Sequence, residues 1–357
     1  MSGSKMEKLL ALLPEGTDCA LITSDVNRRY FSGMKSSAGT VVIFRDKAYL
    51  IIDFRYFEKA CATVKECEVV QQDKLSRQLK ELFDKHGAKK IAVESHTMTL
   101  FELANFKRLL PEYEFDASDA LSDGITALRA VKESYEIEKI KTAQRIAEKA
   151  FEQVLNYIKP GQTEKEVALL LENHMLKKDA EAISFDTIAL FGKNTSLPHG
   201  VPSEKTLERG EFVLMDFGAV YEGYHSDMTR TFCVGKPNEE MCKVYGVVLD
   251  AQTAALKAVK AGMKGCELDK IARDIIAENG YKDNFGHSLG HGVGMDIHEF
   301  PNASPQSEAV LAENMIVTVE PGIYLPGKFG VRIEDFVVVG KDGCENMTKT
   351  PKEMLCL

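Results

Sequence analysis

The sequence predicts two domains, an α/β first part and a larger α+β second part, and three observations carry that reading. The chain has 357 residues, about twice the length of a typical domain. Over the first 120 residues, short β-rich runs alternate with helical patterns, the order expected of an α/β layer. Beyond them, long apolar helical stripes are interleaved with strand-rich runs, which predicts helices around a largely antiparallel sheet.

In the first part, Ala20-Leu21-Ile22 reads as a short strand. Thr40 to Phe44 and Ala48 to Ile52 flank Arg45-Asp46-Lys47 as a hairpin. Leu75, Leu79, Leu82 and Phe83 share one helical face over 75–86, and Gly87 is the expected stop. Lys90 to Glu94 is a further strand and Leu100 to Leu110 a further helix. The polar stretch from Asp116 to Asp123 and then Gly124 break the pattern, so the domains are expected at 1–124 and 125–357.

The second part opens on a long helix. Ile137, Ile140, Ala147, Phe151, Val154 and Ile158 form its apolar stripe, and Pro160-Gly161 ends it. Thr163 to Glu166 has the form of a capping box ahead of Val167 to Leu171. Leu268, Ile271, Ala272, Ile275 and Ile276 mark another helix, closed by Gly280. Strands are expected over Phe212 to Ala219, Tyr224 to Val234, Met315 to Glu320 and Val331 to Val339.

Composition narrows the function. Hydrophobic residues make up 44% and charged residues 28%, the profile of a soluble globular protein. Lys plus Arg number 45 against 54 Asp plus Glu, a net charge of −9, which argues against nucleic acid as a partner. No apolar run approaches the roughly 18 to 20 residues that span a bilayer, and the first residues lack a signal-peptide pattern. The eight cysteines form no CxxC pair, so reduced thiols and a cytoplasmic location are expected rather than disulfides or a zinc knuckle.

Four segments of the second part carry the chemistry. Met215-Asp216-Phe217-Gly218 and Tyr224-His225-Ser226-Asp227 form a hairpin around Gly223. Positions 216 and 227 sum to an odd number, so an even loop places both carboxylates on one face, opposite or diagonal. Two close acids repel unless a cation lies between them, and Asp216 interrupts an apolar strand where an unpaired acid is costly. Solvated turn acids are the plainer alternative. Gly286-His287-Ser288-Leu289-Gly290-His291-Gly292-Val293-Gly294, with His298-Glu299 beyond, surrounds imidazoles with glycines that let backbone approach a bound group. It leaves open which histidine ligates. Glu320 and Glu334 each follow β-branched residues, and their even sum demands an odd loop or a bulge to bring them together. Four carboxylates and one or two imidazoles suit two hard or borderline divalent cations, which can activate one water while polarising a carbonyl. Ser226 and Ser288 lack a nucleophile elbow, and no phosphate-binding GxxxxGK[ST] run occurs.

The series Asp216, Asp227, His291, Glu320, Glu334 resembles the ligand set of the pita-bread metallopeptidases: methionine aminopeptidase, Xaa-Pro aminopeptidase and Xaa-Pro dipeptidase (prolidase), with the metal-free creatinase. The resemblance spans nearly the whole chain. Asn27 to Gly33 and Asp53 to Tyr56 stand where a creatinase-like N-terminal domain has them, which sets methionine aminopeptidase aside. The fold it implies is an α/β creatinase-like N-terminal domain plus an α+β pita-bread catalytic domain. It implies two divalent cations per subunit, Mn²⁺ first and Co²⁺ or Zn²⁺ tolerated, with Asp216 and Glu334 bridging them. Asp227 would complete one shell, and His291 and Glu320 the other. Glu320 would also handle the proton of a metal-bridging hydroxide. His199, in Leu197-Pro198-His199-Gly200, and His298 would face the substrate as catalytic residues, whereas His225 and His287 would support the site from outside. Arg332 would orient Glu334 or its neighbours.

By the same resemblance the substrates are peptides with proline at the second position, and the chain is expected as a homodimer or higher homo-oligomer. One departure divides the nearest relatives. Prolidases of this type often carry an arginine shortly after the His-Glu pair to clamp the dipeptide carboxylate, and here Asn302 and Ala303 follow Phe300-Pro301. The expectation is therefore a Xaa-Pro aminopeptidase, with the dipeptidase as its alternative. A catalytically inactive binding protein of the same fold is disfavoured by the five retained ligands.

Overall fold

The computed structural model describes residues 4–357 in two units, the first ending at Arg129 and the second beginning at Ala130. Gly124 is not a break between them. It lies within the helix Ala120–Ala130, where an added Cβ would come 3.3 Å from Leu9 Cδ1. Close packing explains this glycine, a cause that sequence spacing does not separate from a chain break.

The first unit is built on a six-stranded sheet in the order Glu68–Gln71, Ala48–Ile52, Thr40–Phe44, Cys19–Ile22, Lys90–Val93, Glu114–Asp116. The first three strands in sequence pair antiparallel and the flanking ones parallel, as an α/β layer with a hairpin requires. Helix Leu75–His86 buries Leu79 and Phe83 and ends at Gly87 in the left-handed region, φ 65°. The segment Asn27 to Gly33 forms most of helix Asp25–Ser32 and its left-handed cap.

In the second unit, the long helix spans Ser134–Tyr157, and the capping box of Thr163 and Glu166 opens helix Glu164–Leu176. Helices Glu239–Ala258 and Gly265–Glu278 complete the main set, the latter close to the stripe read from sequence. All named strand pairs here are antiparallel. One core joins Val244, Val248 and Ala251 to Val317, Val319, Val337 and Val339; another sets Ala147, Phe151 and Val154 against Met215, Phe217 and Phe232. No described helix is long and apolar enough to cross a membrane.

Two strand interruptions position the acids. Glu211–Phe217 pairs with Met228–Val234, with Asp216 opposite Thr229 and Phe217 opposite Met228. The register stays odd into the short Ala219–Tyr221 and Tyr224–His225 hairpin. Asp227 is thus two residues from the partner of Asp216, the diagonal place on the same face. The ladder breaks at Gly218, where an added Cβ would lie 1.9 Å from the Ser226 carbonyl oxygen. In the other hairpin, Val319 faces Asp335 and Gly322 faces Arg332, so Glu320 and Glu334 meet across the gap between two ladders. The odd loop that this requires is the three-residue turn Pro326-Gly327-Lys328.

Two glycines should respond oppositely to alanine. Gly246 lies inside helix Glu239–Ala258 with open space where a Cβ would go, so Gly246→Ala is expected to stabilise by about 0.5–1 kcal/mol. Gly218→Ala has to displace the Ser226 backbone and is expected to destabilise by about 1–3 kcal/mol. Urea unfolding of both variants checks the pair, and equal effects would contradict the packing described.

Candidate metal centre

Each of the five acid and imidazole groups reaches the site from the edge of a strand. Asp216 ends the Glu211–Phe217 strand, and Asp227 occupies the break before Met228. His291 is the middle residue of Gly290–Gly292, and Glu320 and Glu334 fill the two gaps of the last hairpin. Glycine at 290 is dictated by close approach, since an added Cβ would sit 1.9 Å from the Thr318 carbonyl oxygen. That proximity brings the imidazole beside the acids.

The side chains converge. One donor atom from each of Asp227, His291 and Glu334 lies within 4.8 Å of the others. His291 Nε2 is 3.4 Å from Glu320 Oε1 and 3.6 Å from Asp227 Oδ2. Asp216 borders the group through Asp227, and its Oδ2 accepts a 2.5 Å hydrogen bond from Arg332 Nη2. Asp227 therefore touches Asp216 on one side and His291 on the other. Where the resemblance implies Asp216 as a bridging acid, the geometry puts Asp227 in the middle.

The electrostatics are strained. Burial pushes Asp227 and Glu334 well above the carboxylate range, and the neighbouring acids add to it. Burial likewise raises Glu320 to about 8, partly offset by Arg332 and reinforced by Asp216. Arg332 faces Asp216, Asp227 and Glu320, and burial disfavours its charge, yet Tyr324, Asp216 and Glu320 outweigh that and keep it protonated. Asp216 Oδ1 and Glu334 Oε1 are buried without a hydrogen-bond partner, a costly state for carboxylate oxygens. Burial, with His298 nearby, lowers His291 to about 4, so its ring is neutral. Its Nδ1 lies 3.1 Å from the Gly292 carbonyl, which fixes the proton there and leaves the Nε2 lone pair facing the acids. Oxygen donors, a neutral imidazole and orphaned buried oxygens fit hard or borderline divalent cations.

Hydroxyl groups hold these ligands in place. Thr229 Oγ1 donates to Glu334 Oε2 at 2.7 Å and accepts from Arg332 Nε at 3.0 Å. Thr318 Oγ1 accepts from the His291 amide and donates to Glu320 Oε1. Tyr324 Oη bridges Arg332 Nη1 at 2.7 Å and His287 Nε2 at 2.9 Å. Arg332 thus orients Asp216 directly and reaches Glu334 through Thr229. Motif reasoning passed over Thr229, Thr318 and Tyr324. The usable signal was strand periodicity: Thr229 faces Asp216 in register, and Thr318 precedes Glu320 by two on one strand.

The group opens on a cavity of about 850 Å³. His199, His287 and His298 line it, together with Leu169, Phe185, Ile188 and Val201 on its apolar wall. His199 and His298 are exposed within it, and His298 packs edge-on against His291 with ring centroids 4.3 Å apart. His225 instead bonds Ser184 through Nδ1. Asn302 pairs with His291 across two strands, which puts both side chains on one face.

Known proteins match along the whole chain. The model of metallopeptidase family M24 matches residues 138–341, and that of the creatinase/prolidase N-terminal domain residues 5–131. A Xaa-Pro dipeptidase of Pyrococcus furiosus is 42% identical over 353 residues, covering 98% of this chain and 99% of the relative. The solved structure of a Xaa-Pro dipeptidase from Bacillus anthracis superposes with a TM-score of 0.95 at 42% identity, covering 99% of each chain. An X-Pro aminopeptidase structure from Thermotoga maritima gives 0.92 at 40% identity, covering 98% of this chain and all of that one.

Proton linkage gives a test without substrate. Glu320 is raised from about 4.5 to about 8, so the folded metal-free protein holds a proton that the unfolded chain releases. The associated stability is full below the unfolded value and is lost as pH rises through about 8. His291 and His287, both lowered to about 4, act in the opposite direction, but only below about pH 6.5. Between pH 6.5 and 8.5 the melting temperature of chelator-treated protein should therefore fall. Added Mn²⁺ should raise it and release protons, as read by calorimetry in buffers of different ionisation enthalpy. A flat or rising profile without metal would contradict this electrostatic account.

Proposed function

The chain belongs to metallopeptidase family M24, with a creatinase/prolidase N-terminal domain, and from that premise we propose that it is a metal-dependent Xaa-Pro dipeptidase. The observation that carries the proposal is the convergence of Asp216, Asp227, His291, Glu320 and Glu334 around orphaned carboxylate oxygens, in a chain closely similar to named Xaa-Pro dipeptidases. We assign these five as the residues that would hold two divalent cations, with Mn²⁺ the first candidate. Bound divalent cations supply Lewis acidity at the peptide carbonyl and make a water nucleophilic at neutral pH.

The remaining steps belong to the protein's own groups. Glu320 takes the proton of the attacking water on its carboxylate and delivers it to the departing prolyl nitrogen. An amide nitrogen departs only once protonated, so cleavage depends on a positioned proton donor. His298 donates a hydrogen bond to the carbonyl oxygen as it gains negative charge, a task worth a few kcal/mol at the transition state. His199 orients the substrate from the facing wall. The acid cluster also favours a free α-amine beside it, which restricts cleavage to the first residue. At the cavity rim, Lys165 is the lining cation outside the Arg332 network, although Glu204 pairs with it at 2.6 Å. It is our candidate to meet a dipeptide carboxylate.

One observation favours the aminopeptidase reading that the sequence suggested. Asn302 shares the face of His291 and offers no positive charge where a carboxylate clamp is expected. The T. maritima X-Pro aminopeptidase likeness is nearly as strong as the dipeptidase ones. The relatives weigh toward the dipeptidase, the missing arginine toward longer peptides.

Hydrolysis of Ala-Pro, Ala-Pro-Ala and a longer Xaa-Pro peptide by metal-stripped protein, with and without Mn²⁺, decides between them. Mn²⁺-dependent turnover confined to Ala-Pro supports the dipeptidase, whereas release of alanine from the longer peptides establishes the aminopeptidase. Inertness toward all three despite bound metal would overturn both. His298→Ala should lower kcat by about 10²–10³-fold with metal content unchanged.

A further inference from the structure

The loop that carries His298 has an anchor that the proposed chemistry does not itself use. It joins the strands Gly290–Gly292 and Glu299–Ala303, and the imidazole it presents is exposed in the cavity. Backbone contacts fix it at several points: Gly292 pairs with Glu299 where the two strands meet, and the His291 ring bonds the Ile297 backbone. The Gly294 carbonyl accepts from His225 at 2.8 Å, and the Gly294 amide donates to the Asp296 carbonyl at 3.1 Å.

Its end is also held by charge, through a side chain rather than the ladder. Glu299, the residue after His298, turns its carboxylate back under the loop. Oε2 accepts from the Asp296 amide at 3.3 Å, and Oε1 accepts from Lys132 Nζ at 2.7 Å. The carboxylate lies so close to Gly294 that an added Cβ there would be 2.2 Å from Oε1. Lys132 is far away in sequence and fixed in turn. Its ammonium also donates to the Ala130 carbonyl at 3.2 Å, and its amide to the Asn314 carbonyl at 3.0 Å. The two side chains are 1% and 9% exposed, so the pair is shielded from water and salt. Burying both charges is costly, and a hydrophobic pair of the same volume stabilises at least as well in many proteins. What an ion pair adds is a single fixed geometry.

We propose that the buried Lys132–Glu299 pair sets the position of His298 over the acid cluster, making Lys132 and Glu299 positioning residues for the reaction. The proposal rests on the assignment of His298 to the substrate. A carbonyl-binding imidazole must sit within a fraction of an ångström of its place, and an error of about 1 Å can cost about 10²-fold in rate. The clamp acts one residue from that ring, while the ring's own described contact is the edge-on packing against His291.

Removing Lys132 alone leaves a buried carboxylate unpaired and invites unfolding, so the deciding variant is the charge-neutral double, Lys132→Met with Glu299→Gln. In metal-loaded protein we expect unchanged metal content, KM within about twofold and kcat lowered about 10–100-fold. In metal-free protein with ¹³C-labelled histidine, the nuclear Overhauser contact between the His291 and His298 rings should weaken or vanish. A double variant that keeps both wild-type kcat and the ring contact overturns the proposal. So does one whose metal content, melting temperature, KM and kcat fall together, because that marks a merely structural pair. If wild-type protein cleaves no Xaa-Pro bond, or His298→Ala is as fast as wild type, the functional reading fails instead. The ring contact then still decides whether the clamp positions His298.

Discussion

Four carboxylates and a neutral imidazole share a largely buried space, where the Arg332 guanidinium faces Asp216, Asp227 and Glu320 and reaches Glu334 through Thr229. Few other features of the second unit make sense without that constraint. Left alone, Asp227, Glu320 and Glu334 relieve the burial and repulsion by keeping protons, which is why their titration moves upward. Divalent cations, as proposed, would resolve the repulsion by charge. The protein spends a buried arginine and several hydroxyls on directing carboxylate oxygens inward, although turning them to solvent would relieve the strain. Such an arrangement suits a ligand of high positive charge.

Backbone irregularity is the means by which the acids are gathered. Regular ladders would bury these side chains among their neighbours or spread them along a face. Instead, the ladder between Glu211–Phe217 and Met228–Val234 ends where Asp227 turns in, and the last hairpin opens a gap at Glu320 and Glu334. Gly218 and Gly290 let one backbone press against another at these points. The Thr229 hydroxyl then links Arg332 to Glu334, while Thr318 links His291 to Glu320. A set of separately placed ligands becomes one mechanically connected unit.

That connection separates the roles of the histidines. His291 is neutral, with its proton fixed by a backbone carbonyl, so a lone pair faces the acids. His287 is also neutral but engaged at both nitrogens, by the Ser288 carbonyl and Tyr324, and serves the Arg332 network. His199 and His298 stand exposed in the cavity, where a substrate can meet them. Chemically identical side chains, all in glycine-rich or loop contexts, divide by what their second nitrogen touches.

The sequence by itself determined the class of both halves and the strands that carry the acids, and it stated which loop parity would bring each pair of acids together. These follow from local rules: side chains alternate along a strand, and a loop's length sets which residues face each other. The odd register placed Asp216 and Asp227 on one face, and the even one demanded the three-residue turn that brings Glu320 to Glu334. Resemblance extended this to the family and supplied the ligand set as an expectation. Tertiary structure alone decided that Gly124 is a packing contact inside a helix, that Asp227 rather than Asp216 lies at the centre, and that Arg332 grips Asp216. It also decided which hydroxyls join the network, and that Lys132 reaches Glu299 across more than 160 residues. These depend on distances between segments remote in the chain, and on burial that turns ordinary acids into strained ones. No local pattern encodes either quantity, because both exist only once the strands have packed.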